Sequence, residues 1–397
     1  MVNWDLVSIV VFYGLLLLVY FRFKKKFETH GIVVMYKAQW GIKLMDRLAK
    51  PFPRFLNFIS RVGVFVGFAG MAFIFYFLTK ETLKLIFIAG TQPALAPVLP
   101  GVQIAGAPVL SFWHWIITIF VAAVIHEFSH GVVARLYNVK VKSSGFAFLG
   151  PLLAAFVEPE EKELEKKTKM QQLAVFAAGP FSNLVLGGFI FLILMFMVAP
   201  FVSQIYDTQG IIVHQTLDGY PVNESGIEVP FTLLAMNGEE TLGFDSFVSV
   251  TDNIMPGDTV VLSTDKGEYT LVPVANPDNA SKAFFGVSGF EEKVVLKDNY
   301  SFLAPFTGFI DWVKLLLVWL FLISVGVGLF NLLPLGPVDG GRMFYTLSLA
   351  VFKKESHAKK SLWIATIFCV SLIFINMIPW LEKLFFWLLG IFSSFLV

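Results

Sequence analysis

The chain has 397 residues, of which 56% are hydrophobic, 16% aromatic and only 15% charged, with 30 basic and 29 acidic side chains and a net charge of +1. Soluble globular domains carry about 25% charged residues, so this composition excludes an ordinary soluble enzyme and indicates a multi-spanning α-helical membrane protein. The single cysteine, Cys369, excludes a disulfide framework and a cysteine-rich metal site.

Crossing a hydrocarbon core of ~30 Å takes about 20 apolar residues, and six or seven stretches approach that length. The first, Leu6 to Tyr20, is followed by Arg22, Lys24, Lys25 and Lys26. Positive charge after the apolar run, not before it, reads as a retained anchor and not a cleaved signal peptide. Residues 28 to 60 mix lysine and arginine with Trp40, phenylalanine, leucine, Pro51 and Pro53. That mixture suits a segment lying on anionic headgroups, with a plain cytoplasmic loop as the alternative. A second span covers Val62 to Thr79. Residues 90 to 110 are uncharged but hold four prolines between 93 and 108, which bars a continuous helix and indicates an external or re-entrant loop. The third span is Ser111 to Leu136. After it, Gly145, Gly150 and Pro151 within "VKSSGFAFLGPLLAAFVEPE" suit a bent strand or loop.

The fourth span is Leu173 to Phe201. Residues 207 to 290 then change character, with charged, turn-rich sequence and short β-branched runs, as in a small soluble β-rich domain inserted between spans. Asp265, Lys266 and Gly267 lie between two such runs, a hairpin signal. Leu315 to Leu335 and Ser361 to Leu381 are further spans, the latter holding Cys369 as a small core residue, and Leu384 to Val397 is a marginal last one. The expected organisation is 1–110, 111–206, 207–298, 299–352 and 353–397.

Orientation follows from basic residues near span ends. Ten lysines and arginines against two acids lie between Arg22 and Arg61, whereas residues 201 to 299 hold four lysines against fifteen acids. The first segment is therefore expected in the cytoplasm and the inserted domain outside it. The bilayer is the expected environment and no nucleic-acid partner is expected.

The chemistry concentrates in "VAAVIHEFSHGVVARLY", residues 121 to 137. On a helix, His126 and His130 differ by about 40° in azimuth and ~6 Å in height, so both imidazoles can reach one ion. Glu127 stands about 100° further round, outside the ligand shell but beside it, where a general base for a zinc-activated water belongs. Two buried, satisfied histidines would be the bland reading. It must then place three ionisable groups in five residues of an apolar helix, at ~2.5 kcal/mol or more each at mid-bilayer. His30, His114, His214 and His357 lack such spacing and read as interfacial or surface residues. A catalytic zinc needs a third protein ligand. Asp339 in "LFNLLPLGPVDGGRMF" is the candidate: Pro334, Pro337, Gly340 and Gly341 break the helix around it, and irregular backbone at that depth is tolerated only where it is buried in protein or lines a wet cavity.

"HEFSH" in one span together with "NLLPLGPVDGG" in a later one resembles the site-2 protease family of intramembrane zinc metalloproteases, whose second motif is matched by Asn331, Pro334, Pro337, Asp339 and Gly340. The resemblance implies Zn²⁺ bound by His126, His130 and Asp339, with Glu127 as catalytic acid/base. With the basic segments threaded to the cytoplasm, the zinc is expected nearer that face, and single-span membrane proteins are the expected substrates. Gly179, Pro180 and Asn183 match a third family feature, making Asn183 and Asn331 candidate substrate-binding donors, with interhelical hydrogen bonding as the plain alternative. The family carries membrane-embedded β structure where residues 141 to 160 fall, and a strand edge there could pair with an unwound substrate. The inserted domain resembles the PDZ modules of some members, though Val229 and Pro230 stand where a Gly-Asp pair is usual. Three rivals stay open: a His-Glu-x-x-His protease using a downstream glutamate ligand, a metal or ion transporter, and a catalytically silent relative that holds membrane clients. The sequence sets neither the substrate's identity nor the oligomeric state.

Overall fold

The structure, a computed structural model, describes residues 4–30, 33–39, 41–88, 91–102, 104, 107–149, 152–277 and 279–395. In chain order it contains α1 (Trp4–Arg22), β1 (Phe27–His30), β2 (Val33–Ala38), α2 (Ile42–Ala49), α3 (Pro53–Phe87), α4 (Phe112–Leu136), β3 (Val141–Leu149), β4 (Leu152–Pro159), α5 (Glu161–Glu165) and α6 (Lys169–Ile193). A π-helical turn leads into α7 (Ala199–Ile205), then β5 (Tyr206–Thr216), α8 (Pro221–Glu224), β6 (Phe231–Met236), β7 (Glu239–Glu240) and α9 (Phe244–Thr251). There follow β8 (Val260–Thr264), β9 (Gly267–Leu271), β10 (Val274–Asn276), β11 (Asn279–Phe284), β12 (Val287–Leu296), α10 (Thr307–Asn331), α11 (Asp339–Phe352) and α12 (Glu355–Phe395).

Among the described residues, six helical segments are long and apolar enough to cross a membrane: Asp5–Arg22, Pro53–Phe87, Phe112–Leu136, Lys169–Ile205, Asp298–Asn331 and Glu355–Phe386. The marginal seventh span is not a separate helix. Leu384 onward continues α12 without a break as far as Phe395, because no glycine-proline turn interrupts it. The chain divides into two compact units, one of Met1–Gly101, Leu110–Leu192 and Leu316–Val397, the other of Val102–Val109 and Ile193–Leu315.

In the first unit the core joins four helices. Val64 and Met71 of α3, Ala134 of α4, Leu173, Ala174 and Ala177 of α6 and Met343 of α11 are all buried in one cluster with Leu332. Small residues on α3 make that approach possible: Phe181 packs over Gly63, Met343 over Gly67 and Leu332 over Gly70. Without a hydrophobic drive between helices in lipid, such close van der Waals contact is what holds them together. Cys369 lies fully buried with Ile74, Leu78, Leu333, Leu335 and Leu372, as a small core residue should.

The segment expected to lie on headgroups folds into regular structure. Its first part is a hairpin, β1 with β2, and β2 pairs antiparallel with β3, from Val33 opposite Leu149 to Ala38 opposite Ser144. With β4 beyond β3 this forms a four-stranded antiparallel sheet in the order β1-β2-β3-β4. Gly145 is glycine for a steric reason: a Cβ there would collide with the Tyr36 carbonyl of β2. Trp40, Gly150 and Pro151 lie outside the described residues. After the hairpin comes α2, whose Met45 and Ala49 are buried while Lys43, Leu44, Arg47 and Leu48 are exposed. Asp46 of α2 is ion-paired with Arg135 of α4. His114, expected at the surface, is instead 3% exposed in the first turn of α4, with Nδ1 at 2.6 Å from Ser111 Oγ. The local spacing that hid it is that of a helix start, where a polar neighbour three residues back can satisfy a buried ring.

The second unit contains a β sheet ordered β12-β5-β6-β8-β9, with β7 added to β6 and β10-β11 as a separate hairpin. The hairpin expected at Asp265 to Gly267 forms, with Thr264 opposite Gly267 and Gly267 at φ 126°. Asn237 and Gly238 turn the chain from β6 into β7, both at positive φ, as a two-residue loop matched to strand twist requires. Ile211, Val213, Phe231, Leu233, Val260 and Leu262 supply its buried core. His214 is exposed on β5 and meets Glu291 at 3.0 Å.

Candidate metal centre

His126, Glu127 and His130 occupy consecutive turns of α4, and their helical spacing sets both imidazoles on one face, 6% and 8% exposed. Asp339 arrives from the far end of the chain. After α10 stops at Asn331, residues 332 to 338 form an irregular turn whose backbone groups are largely satisfied: Leu332 N–H donates to the Leu329 carbonyl, Leu335 N–H to Leu333 and Val338 N–H to Leu335. Gly336 N–H donates to Thr366 Oγ1 of α12 at 3.1 Å. Pro334 and Pro337 add no donors to satisfy. The turn folds back so tightly that a Cβ at Gly340 or Gly341 would collide with the Leu332 or Leu335 carbonyl. The two glycines therefore permit the path that delivers Asp339, the first residue of α11.

The three side chains converge. Asp339 Oδ2 is 3.0 Å from His126 Nε2 and 3.3 Å from His130 Nε2, and one donor atom of each residue lies within 4.8 Å of the others. Ligand atoms at ~2.0–2.1 Å from a tetrahedral zinc stand about 3.3–3.4 Å apart, so the observed spacing is close to what one ion needs. His130 is further set for the task by its other nitrogen: Nδ1–H donates to the Val175 carbonyl at 2.7 Å, which leaves the Nε2 lone pair for a metal. An N₂O donor set that is buried and backed by such a bond fits Zn²⁺.

Glu127, beside this cluster, meets the sheet. Its Oε2 accepts the Val157 N–H of β4 at 3.0 Å. β4 pairs only with β3 among the described residues, so Val157 uses an outward-facing donor of the sheet edge. A cavity of about 490 Å³ opens beside these groups, lined by His126, Glu127, His130, Val157, Asn331 and Asp339 among others. Lys142, Glu158, Glu161 and Arg342 also line it and make it partly charged, and Arg342 stands 3.7 Å from Glu161. Asn331 thus faces the cavity. Asn183 does not line it: the residue is fully buried on α6, with its carboxamide 3.1 Å from His126 Nδ1.

Three contributors escaped sequence reading. The Val175 carbonyl and the Val157 N–H are backbone groups, which carry no residue signature. In the sequence Gly179 shows only the family feature it shares with Pro180 and Asn183, yet a Cβ there would come within 2.5 Å of His126 Nε2 and collide with His130 Nε2. Its glycine is what lets α6 pack flat against the two imidazoles.

The model of Peptidase family M50 matches residues 114–375 of the chain. An uncharacterized protein of Methanocaldococcus jannaschii is 32% identical over 161 residues, 39% of this chain and 41% of that protein, so the chain spans about two fifths of it. A protein of Clostridium perfringens named "Putative zinc metalloprotease" is 24% identical over 62% of this chain and 85% of its own length. A second protein of that name, from Fusobacterium nucleatum subsp. nucleatum, is 22% identical over 64% of this chain and 89% of its own length.

Proposed function

The chain belongs to Peptidase family M50, and from that premise we propose that it is an intramembrane zinc metalloprotease hydrolysing a peptide bond within or beside a transmembrane segment of single-span membrane proteins. The observation that carries the reading is the convergence of His126, His130 and Asp339 on one point, with Glu127 beside them at the wall of the cavity. The relatives named as zinc metalloproteases agree with it.

His126 and His130 through Nε2 and Asp339 through a carboxylate oxygen would hold the ion. A zinc ion held there would supply Lewis-acid chemistry, polarising a carbonyl and lowering the pKa of a water toward ~7. Glu127 takes the proton of the attacking water on a carboxylate oxygen and returns it to the leaving amine. The bond from Val157 fixes the carboxylate in place for both transfers. A transmembrane helix shields its peptide bonds with its own hydrogen bonds, so the substrate must unwind first. The edge of β4, which has no second strand partner among the described residues, would supply main-chain partners for an extended segment at positions other than Val157, and Asn331 offers an amide to the bound backbone from the cavity wall. The excess of lysine and arginine in residues 22 to 61 supports a cytoplasmic location for that segment and an active site nearer that face. The acidic second unit, PDZ-like in its sequence pattern, would then lie outside as a filter or docking element for substrate ectodomains.

Glu127→Gln tests the reading. The full-length variant in detergent should retain zinc at the wild-type ratio and lose cleavage of a single-span reporter by ~10²–10⁴-fold. A variant that cleaves at the wild-type rate would refute a proton-transfer role and leave a transporter or client-holding protein in its place.

A further inference from the structure

Asn183 has a side chain that the chemistry above does not use. It is 0% exposed, it lies on the opposite side of His126 from the cluster of ligand atoms, and its Oδ1 has no hydrogen-bond partner. A buried amide oxygen without a donor costs ~1–3 kcal/mol, and native structures rarely leave one so. Its carboxamide meets His126 Nδ1 at 3.1 Å. Which end of the amide faces the ring decides the proton on the ring. With the nitrogen toward Nδ1, that atom accepts and the proton must sit on Nε2, the atom 3.0 Å from Asp339 that a metal needs bare. With the oxygen toward Nδ1, the ring donates Nδ1–H to it, the orphaned oxygen gains its donor, and the Nε2 lone pair is free.

We propose that Asn183 is a positioning residue for the metal centre: its Oδ1 accepts the His126 Nδ1 proton and so holds that imidazole in the tautomer and orientation that bind zinc through Nε2. The role parallels the one the Val175 carbonyl plays for His130, so each histidine has an acceptor behind it, one from the backbone and one from a side chain on the same helix α6. Of the two, only Asn183 can be changed by substitution. This assignment rests on the metalloprotease reading and gives Asn183 a place behind the ligand instead of against the substrate.

The test uses the purified full-length protein with Asn183→Asp, Asn183→Ala and Asn183→Leu. Zinc affinity is measured by competition with a chelator, and the absorption of the Co²⁺-loaded protein reports the ligand field. Removing an acceptor behind a ligating histidine costs about 10–100-fold in metal affinity, so Ala and Leu should lose that much and alter the Co²⁺ spectrum. Asp restores an acceptor at the same place and should keep affinity within a few-fold of the wild type. Leu keeps the volume of the side chain, so packing alone predicts an unchanged site. Wild-type affinity and spectrum in both Ala and Leu would overturn the assignment, as would an effect confined to substrate KM. Should the wild-type protein bind no zinc that His126→Ala and Asp339→Ala remove, the metalloprotease reading fails first and this assignment with it.

Discussion

Gly179→Ala adds one methyl group at the point where α6 touches both imidazoles. The new carbon would stand 2.5 Å from His126 Nε2, about 0.9 Å inside the 3.4 Å at which ordinary van der Waals contact begins, and closer still to His130 Nε2. Ligand distances in a zinc site hold to within ~0.2 Å, so a displacement of this size is several times what coordination tolerates. His130 cannot simply retreat, because its Nδ1 is tied to the Val175 carbonyl, and α6 cannot back away without opening the core at Ala174 and Ala177. Misplacing a reacting group by ~1 Å costs on the order of 10²-fold. Purified Gly179→Ala is therefore expected to hold well under one zinc per chain by elemental analysis and to cleave a single-span reporter at least ~100-fold more slowly. Gly188→Ala, on the same helix with nothing within 4 Å of its added carbon, is the control. Alanine favours a helix over glycine by up to ~1 kcal/mol, so Gly188→Ala should be neutral or stabilising, and helix weakening cannot explain a Gly179→Ala defect. A Gly179→Ala protein with stoichiometric zinc and wild-type turnover would refute the steric reasoning.

Three further outcomes follow from contacts elsewhere. Val157→Pro deletes the N–H that Glu127 accepts, at an outward-facing position of an edge strand where proline breaks no ladder bond. A hydrogen bond to a charged group contributes ~1.5–3 kcal/mol, so kcat should fall about ten- to a hundredfold with zinc retained, while Val157→Ala, which keeps the N–H, stays near wild type. Asn376 is fully buried, accepting from Ala94 N–H at 2.9 Å and donating to Thr82 Oγ1 at 2.7 Å and the Leu372 carbonyl at 2.9 Å. Asn376→Leu leaves Ala94 without that acceptor, at ~1–3 kcal/mol, and should lower the thermal midpoint in detergent without changing zinc content. In the second unit, burial would raise the pKa of Asp265, but its bonds from Thr232 outweigh this, with help from Lys293 and Lys266, and hold it below the ordinary 3.8. A depressed folded-state value stabilises at pH above 3.8 and is lost as pH falls through the depressed value. The stability gap between wild type and Asp265→Asn should be constant at neutral pH and shrink below pH 3.8; a gap that widens on acidification would contradict it.

What sequence could show and what it could not divide along a physical line. The candidate ligand set is legible because its chemistry is carried by side chains whose types are costly in lipid: His126 and His130 on one helical face with Glu127 beside them, and Asp339 among the helix breakers, three of which, His126, His130 and Asp339, the structure brings together. The spans were legible for the same reason, since bilayer thickness fixes their length. The pairing of β2 with β3 was not, because Val33 meets Leu149 across more than a hundred residues, and the run from Phe27 to Ala38 mixes polar and apolar residues as an interfacial segment would. His114, expected at the surface, is buried by the packing around the start of α4, where its ring meets Ser111 Oγ, and its own spacing carries no sign of that.

The least legible parts of the site are those that orient the ligands. Val175 and Val157 contribute only a carbonyl and an N–H, groups that every residue except proline possesses, and Gly179 contributes the absence of a side chain. Each acts because packing places it: α6 must lie against α4 for Val175 and Gly179 to meet His130, and β4 must run along α4 for Val157 to reach Glu127. The same packing is built from Ala134, Ala174 and Ala177 together with the glycines of α3. Enlarging one of these small residues should disturb the metal centre without touching a ligand, because the core that holds α4 and α6 together is also what holds the acceptors behind the histidines.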